Sequence, residues 1–534
     1  MAAHTRDEVI REITENYLSQ TNVLNPPSPA AIQEELLTQI AGDFQLQNAM
    51  RPKGEKWKIP DRLLPEQVAM ILLKLYSIIN ICFTDEAGDQ DYDLLALYQS
   101  SGADEGIYVT DEVALRQLIR SFLFSATKGE ITNVIDILKE RAPRKRRCSE
   151  KNLIAVNNGI FDYDTKKLLP FDRNKIFIAK SRVNYNPNAK NVVIHNDEDD
   201  TDWDVESWMI DLFDDPELTD LIWQILGAII RPNVSWNKSA WFYSNSGNNG
   251  KGTLCSLMRN LCGDGTCTSI SLEDMSKDFA LEPLIRCSAI IVDENNVGGF
   301  IDKAANVKAI ITGDVIQINR KFKTPVSYTF KGFMVQCLNS LPRFKDQTES
   351  FYRRQLMVPF KKSFTGSERK YIKDDYLKRQ EVLEYVMFKV LNTSYYTLSE
   401  PKACTESLDA YRIFNDPVRQ FVEEMILYCA WDLLPYGFLY DLYKAWLKSV
   451  SPNGQAQGRN TFIEDLKVVI TSKDHGWEAR DNQRTGDKMS KPEPLILEYD
   501  LKQWMNPLYM SAGADLAKRC CPLAKDKYNG LVRK

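Results

Sequence analysis

The chain has 534 residues, 43% of them hydrophobic and 26% charged, with a formal net charge of -5. That length requires several domains, and the apolar share can fill several cores. Near-balance of acids and bases excludes a uniformly basic nucleic-acid binder, so any DNA-binding surface has to be a local patch. The start, MAAHTRDEVIREITENYL, is charged throughout and is not a secretory signal, and no apolar run is long enough to span a bilayer. A protein of the cytoplasm without a membrane partner is expected. Eleven scattered cysteines without a C-x-x-C pair, beside three histidines, read as reduced and mostly buried thiols rather than zinc ligands.

Residues 1 to about 60 mix helical patterns with a proline-rich break from Asn25 to Pro29. Between Pro65 and Phe83, the apolar residues Val68, Ile71, Leu72, Leu75, Ile78 and Ile79 recur at helix spacing and predict a core helix. Asp89, Asp91 and Asp93 then alternate. Period-two carboxylates on a strand share one face and hold metal ions in many polymerases and primases. Here the triplet follows a glycine and has no nearby histidine, so a solvated turn is the preferred reading. Residues 94–98 and 106–109 read as paired strands, and 111–124 and 130–141 as helices. The densest basic run, Pro143 to Arg147, reads as a solvated linker in preference to a phosphate or DNA contact or an import signal. Short strands are expected at 153–156, 159–163 and 167–170. An acidic loop from Asp197 to Asp204 closes a mixed α/β N-terminal domain spanning 1–204.

Residues 205–239 read as a helical collar, with Trp208, Leu212, Phe213, Leu221, Ile222, Ile225, Leu226 and Ile229 at helix spacing and a break at Asp215-Pro216. The next stretch, WFYSNSGNNGKGTLCSL from Trp241 to Leu257, changes character. An apolar strand runs into a turn of Asn, Ser and Gly, then Lys251, Gly252 and Thr253, then a helical pattern. That is the layout of a phosphate-binding loop: backbone N–H groups from Gly247, Asn248, Asn249 and Gly250 face the ligand, the helix N-terminus adds positive partial charge, and Lys251 reaches the terminal phosphates. Gly252 stands where Ser or Thr usually follows the lysine, which leaves Thr253 as the candidate magnesium hydroxyl.

Downstream, Ala289 to Val292 is an apolar strand ending in Asp293 and Glu294. Such a strand delivers its acids to the C-terminal edge of a parallel sheet, with Asp293 toward magnesium and Glu294 as general base for water. Phe333 to Asn339 is a third apolar strand, whose terminal amide can sense the terminal phosphate. Arg353 and Arg354 precede another strand, and either can serve as an arginine finger on a neighbouring subunit's nucleotide. Residues 315–319 and 326–330 alternate apolar and polar about Arg320-Lys321-Phe322-Lys323-Thr324-Pro325, a β-hairpin with a basic, aromatic tip suited to phosphates and stacked bases. The region 240–398 is the expected ATPase domain. From 410 to 534, two helices around a polar turn and a charged hairpin-like segment (476–499, ending in Leu495 to Leu497) suggest a C-terminal winged helix.

The order GNNGKGT, AIIVDE, TGDVIQINRKFK, FMVQCLNSLPRF and FYRRQLMVPF resembles the superfamily 3 helicases, closest to the phage, plasmid and poxvirus group in which the helicase is the C-terminal half of a primase-helicase. Asn152 to Asp164 and FLYDLYKAW extend the likeness, so that it covers roughly residues 90 to 500. The resemblance implies an AAA+-like core with a central parallel sheet, and a homo-hexameric ring that hydrolyses ATP with Mg2+. It also implies translocation on single-stranded DNA and unwinding of forked duplex during replication. In that mapping Lys251 and Thr253 bind nucleotide and magnesium, Asp293 and Glu294 form the Walker B pair, and Asn339 is the sensor. Arg353 or Arg354 is the finger, and Arg320, Lys321, Phe322 and Lys323 contact DNA. Phe322 stands where some relatives carry a histidine. The first 150 residues are too short for the primase domain of that group, so primer synthesis is expected from a separate protein. Three rival readings are an origin-binding initiator that melts DNA, an AAA+ remodelling ATPase whose substrate is protein or RNA, and a DNA-binding scaffold with a decayed phosphate loop, the last motivated by Asn245 and Gly252.

Overall fold

The computed structural model describes the chain apart from residues 1–4, 24, 83–92, 296–299, 302–303, 322, 451–455, 473 and 512. Asp89, Asp91 and Phe322 therefore lie outside the described residues, as does the side chain of Lys323. Packing divides the chain into two compact units, residues 1–340 with 353–405, and residues 341–352 with 406–534.

The first unit begins with helices Arg6–Gln20 and Pro29–Ala49. Thr5 and Glu8 close a capping box on the first, and Ser28 with Pro29 starts the second. The helix Pro65–Leu75 buries Val68, Ile71, Leu72 and Leu75. It does not reach Phe83 as the spacing predicts. Ser77 takes φ 44 and turns the chain into strand β1 (Ile78–Cys82), buried at every position. A short apolar run satisfies a helix face and a buried strand equally, so spacing alone could not separate them. β1 pairs antiparallel with β2 (Leu94–Tyr98), and β2 with β3 (Tyr108–Val109). On its other side β1 pairs parallel with β4 (Arg144–Arg146). The basic run expected as a solvated linker is thus a strand. Arg144 donates from Nε and Nη2 to the Asp93 carboxylate at 2.5 and 3.0 Å, and the Asp93 side chain is 5% exposed. Asp93 is the partner of a half-buried cation, not part of a solvated turn.

Helices Glu112–Phe122 and Lys128–Arg141 lie where expected. The strands Leu153–Val156, Gly159–Asp162 and Lys167–Leu169 form an antiparallel meander. Asp204 caps α1 (Val205–Asp211), while Asp215 caps α2 (Pro216–Ile230) with Pro216 in the first turn, so the helical break falls at Asp215-Pro216. At the end of α2, the guanidinium of Arg231 is buried among rings: Tyr163 at 3.6 Å, Tyr396 at 4.8 Å, Tyr395 at 5.0 Å and Trp236 at 5.1 Å. Cation–π attraction to four rings stabilises a charge that has no carboxylate beside it among the described residues.

The centre of the unit is a five-stranded parallel sheet. Its elements follow in sequence as β5 (Ser239–Tyr243), α3 (Lys251–Cys262), β6 (Cys267–Thr268) and β7 (Ala289–Val292). Next come the antiparallel hairpin β8 (Val315–Arg320) and β9 (Lys323–Thr329), β10 (Phe333–Leu338), β11 (Gln355–Pro359), and helices α4 (Lys370–Asp374) and α5 (Gln380–Asn392). The sheet order is β6-β7-β10-β5-β11. β7, β10 and β11 are buried at every residue, the signature of a parallel sheet covered on both faces. The chain is therefore a multidomain α/β protein, and the C-terminal ends of β5, β10 and β7 lie side by side on one edge.

The second unit contains α6 (Pro417–Met425), β12 (Leu433–Pro435), α7 (Tyr436–Val450), α8 (Arg459–Ser472), β13 (Trp477–Arg484) and β14 (Lys527–Arg533). Phe421, Phe438, Leu442, Trp446, Phe462 and Leu466 fill its core. The charged segment read as a local hairpin does not fold back on itself. β13 pairs antiparallel with β14, from Trp477↔Arg533 to Arg484↔Lys527, and Leu495–Glu498 is a short helix. The sheet order is β12-β14-β13. Among the described residues, no helix is long and apolar enough to cross a membrane.

Candidate functional site

β5 is buried on both faces and ends at Tyr243. The turn after it is shaped by its own polar side chains. Ser246 N donates to Ser244 Oγ at 3.3 Å, Asn249 Nδ2 donates to Ser246 O, and Lys251 N donates to Asn249 Oδ1 at 3.3 Å. Asn248 and Gly250 are left-handed, at φ 51 and 84. At Gly250 a Cβ would stand 2.6 Å from Leu212 Cδ2, so both conformation and packing require glycine there. Gly250 is the N-cap of α3 and offers no side-chain cap, which leaves first-turn N–H groups open to an anion. Asn248 also fastens the loop from outside: its Nδ2 donates to Glu368 Oε1 at 2.9 Å, and its carbonyl accepts from Phe364 N at 2.7 Å. Gly247 meets no atom within 4 Å of a built Cβ and lies at the open crown of the turn.

Lys251 is buried. Its Nζ donates to Leu338 O at 3.2 Å and to Asn339 Oδ1 at 3.0 Å, across the ends of β5 and β10. Burial lowers its pKa from the usual lysine value, so an arriving anion strengthens its charged form. The loop lysine and the amide chosen as sensor, 88 residues apart in sequence, are thus in direct contact. Asp293 follows β7 on the far side of β10. Arg259, two turns into α3, donates to Asp293 Oδ2 at 2.7 Å and to Ile291 O at 3.0 Å. Asp293 Oδ1 is buried without a hydrogen-bond partner. Glu294 is exposed next to it. Cys255 of α3 and Cys337 of β10 meet at 3.3 Å between their Sγ atoms; this hydrogen bond and burial hold the Cys255 thiol well above its ordinary pKa.

Two residues at these strand ends have no counterpart in the motif reading. Asn295 is buried; it donates to Gln336 Oε1 and to Cys337 O, each at 3.0 Å, and accepts from Leu272 N at 3.0 Å. Gln336, fully buried in β10, donates on to Ile270 O at 3.2 Å. Together they join the loops after β6 and β7 to β10 and hold the acid-bearing turn in place. A single polar residue, Gln336, inside an otherwise apolar strand was the one available signal. Arg259 was likewise unmarked by any motif.

Thr253 stands in the first turn of α3. Arg259 and residue 252 share the face of α3 nearest Asp293, whereas residue 253 is turned about 100° further round the helix. Thr253 lines a cleft of about 660 Å³ with Asn248 and Gly250 on one wall. Apolar surface from Trp208, Leu212, Phe364 and Ile372, and the side chains of Arg369, Lys370 and Lys373, form the rest. The size suits a nucleotide.

The hairpin has the expected form, with Arg320 opposite Lys323 at its end. Ile316, Ile318, Val326 and Tyr328 are buried along one face. Lys321 is exposed at the tip, and Arg320 is half-buried, which lowers its pKa. Arg353 is exposed, while Arg354 is half-buried and its carbonyl accepts from Ser239 N at 2.8 Å at the start of β5.

Three family models match successive segments of the chain. Residues 53–233 match "D5 N terminal like", 242–354 match a family of unknown function (DUF5906), and 414–505 match "Poxvirus D5 protein-like". Among solved structures, an apo form of the NrS-1 C-terminal region is similar at 14% identity, covering 82% of this chain and 91% of that one, with a TM-score of 0.40. A second NrS-1 structure, of residues 305–718, gives 13% identity, 88% and 100% coverage, and a TM-score of 0.42. The JCV helicase gives 14% identity, 45% and 62% coverage, and a TM-score of 0.26. The D5 matches fall on the group to which the motifs point.

Proposed function

We propose that this chain, which matches the D5-type families of superfamily 3 helicases, is an ATP-dependent DNA helicase of a phage, plasmid or other mobile element. It works as a hexameric ring that translocates on single-stranded DNA and unwinds forked duplex during replication. The observation that supports this reading most is the contact of Lys251 with Asn339 beside Asp293. A phosphate-loop lysine, an amide and an acid converge from three parallel strand ends, where a nucleoside triphosphate presents its terminal phosphate.

The chemistry follows from those positions. The first-turn N–H groups of α3 and the loop backbone hold the phosphate chain. Lys251 exchanges its two protein acceptors for phosphate oxygens, and that exchange frees the Asn339 amide to orient water. Glu294, exposed at the end of β7, accepts the proton of that water. Asp293 fits a magnesium ion: its Oδ1 is a hard oxygen, buried and without a partner. The ion, when bound, supplies charge neutralisation between phosphate oxygens. Thr253 is the second candidate for that ion, since its hydroxyl stands in the first turn of α3 next to Gly252, which offers none. Arg353, exposed, is the finger offered to a neighbouring subunit; Arg354 is tied to the start of β5 through its backbone. Arg320, Lys321, Phe322 and Lys323 contact DNA in the ring channel.

Within this reading, residues 1–204 are an accessory domain, 205–239 a collar, 240–398 the ATPase and 410–534 a winged-helix DNA-binding domain. The order α6-β12-α7-α8-β13-β14 with its three-stranded antiparallel sheet supports the last assignment. Phosphate release in the presence of single-stranded DNA tests the proposal. Lys251→Ala is expected to lower the rate about 100-fold or more. Hydrolysis by that variant at the parent's rate would overturn the site.

A further inference from the structure

Gly252 occupies the position at which most phosphate loops carry a hydroxyl, and the surrounding structure shows what takes that space. A Cβ at residue 252 would have one neighbour within 4 Å, the Nζ of Lys373, at 3.9 Å. Lys373 belongs to α4, across the cleft from the start of α3. Its side chain is exposed, and its ammonium has no hydrogen-bond or ion-pair partner among the described residues. The acids on the cleft walls are engaged elsewhere. Asp202 pairs with His195 at 2.9 Å, and Asp204 accepts from the first turn of α1. Asp211 faces Lys362 at 3.5 Å, and Glu368 accepts from Asn248 at 2.9 Å. Asp374, the remaining acid of the walls, is the sequence neighbour of Lys373. A cation without a partner among the described residues, reaching toward the loop position that lacks the usual hydroxyl, is placed for an anion seated on the loop.

We infer that Lys373 is a second phosphate-binding lysine of the same chain, and that it contacts the α- or β-phosphate of the bound nucleotide from the space that a position-252 hydroxyl would otherwise fill. This rests on the ATP site proposed above. Lysine suits the task because it is a compact charge on a long stem, able to meet whichever phosphate oxygen lies over Gly252. Gly252 and Lys373 then form one device. The missing side chain leaves the approach open, and the ammonium supplies the positive charge next to the phosphate chain.

Binding of fluorescent ATP and ADP to the full chain, followed by anisotropy at fixed ionic strength, tests the inference. Lys373→Met is expected to weaken both nucleotides about tenfold, the loss of one charge-assisted contact. Lys373→Gln is expected to behave alike, and Lys373→Arg to recover most of the affinity. Thermal unfolding without nucleotide should be the same for all three, since the side chain is exposed and unpartnered. If Lys373→Met and Lys373→Gln bind ATP and ADP as the parent does while Lys251→Ala loses them, this inference fails and the ATP site stands. If the parent itself binds neither nucleotide, the ATP site and the inference fall together.

Discussion

Two stretches of this chain carry dense positive charge, Arg144 to Arg147 and Arg320 to Lys323, and the fold uses them in opposite ways. The first is denser, yet its two end arginines are drawn into contacts within the protein while Lys145 and Arg146 stay exposed between them. Arg144 is held by Asp93, Arg147 donates to Tyr328 Oη at 2.7 Å, and Arg144–Arg146 is a strand of a four-stranded sheet. The second sits at the end of a two-stranded ribbon whose apolar face is buried and whose tip extends past the last buried pair, Ile318 and Val326. Charge density in sequence therefore says little about availability. The neighbours decide: a run that follows a helix and pairs with a buried strand has its end arginines tied to Asp93 and Tyr328, and a run between two alternating strands is carried outward.

The sharpest way to break this contrast is to remove one cation from each run. Lys321→Ala is expected to abolish unwinding of forked DNA and the stimulation of hydrolysis by DNA, with basal hydrolysis retained, whereas Lys145→Ala leaves all three unchanged. Equal unwinding by the two variants would erase the distinction. The same division between presented and internal cations separates the adjacent arginines 353 and 354. Arg353→Ala is expected to lower kcat of the assembled protein about 1,000-fold with nucleotide affinity preserved, as for a finger acting on a neighbour's phosphate. A drop in affinity at constant kcat would move the role elsewhere. The smallest effect belongs to the internal run. Asp93→Ala leaves the half-buried Arg144 without its carboxylate and is expected to cost about 2 kcal/mol of stability, read from urea unfolding, with hydrolysis per folded molecule unaltered. A midpoint equal to that of the parent would show that the pair is dispensable.

Much of the site was legible because its parts are local. An apolar run ending in Asp293 and Glu294 is a buried strand by composition and an acid-bearing edge by position. The loop from Gly247 to Thr253 declares its turn through glycine and asparagine. What was not legible depends on partners distant in sequence. Nothing near Arg259 marks it as the mate of Asp293, and Asn295 acquires meaning from Gln336, 41 residues on. β13 pairs with a strand at the end of the chain, so a search for a local hairpin closed it on the wrong segment. Ile78 and Ile79 continued a helical spacing by coincidence, and the left-handed Ser77 that ended the helix has no composition signal, since serine is tolerated in either element.

The bond between Arg147 and Tyr328 gives the hairpin the mechanics of a cantilever. Its root is clamped by Ile316, Ile318, Val326 and Tyr328 in the core, and a second tether, Lys331 Nζ to Cys148 O at 3.4 Å, lies just beyond β9. Both tethers end on residues that directly follow β4. A load on the tip therefore has two routes into the body. One passes along β8 and β9 toward the five-stranded parallel sheet, and the other passes through Arg147 and Cys148 into the sheet built on β1. Force on the beam is shared between the two sheets at its root.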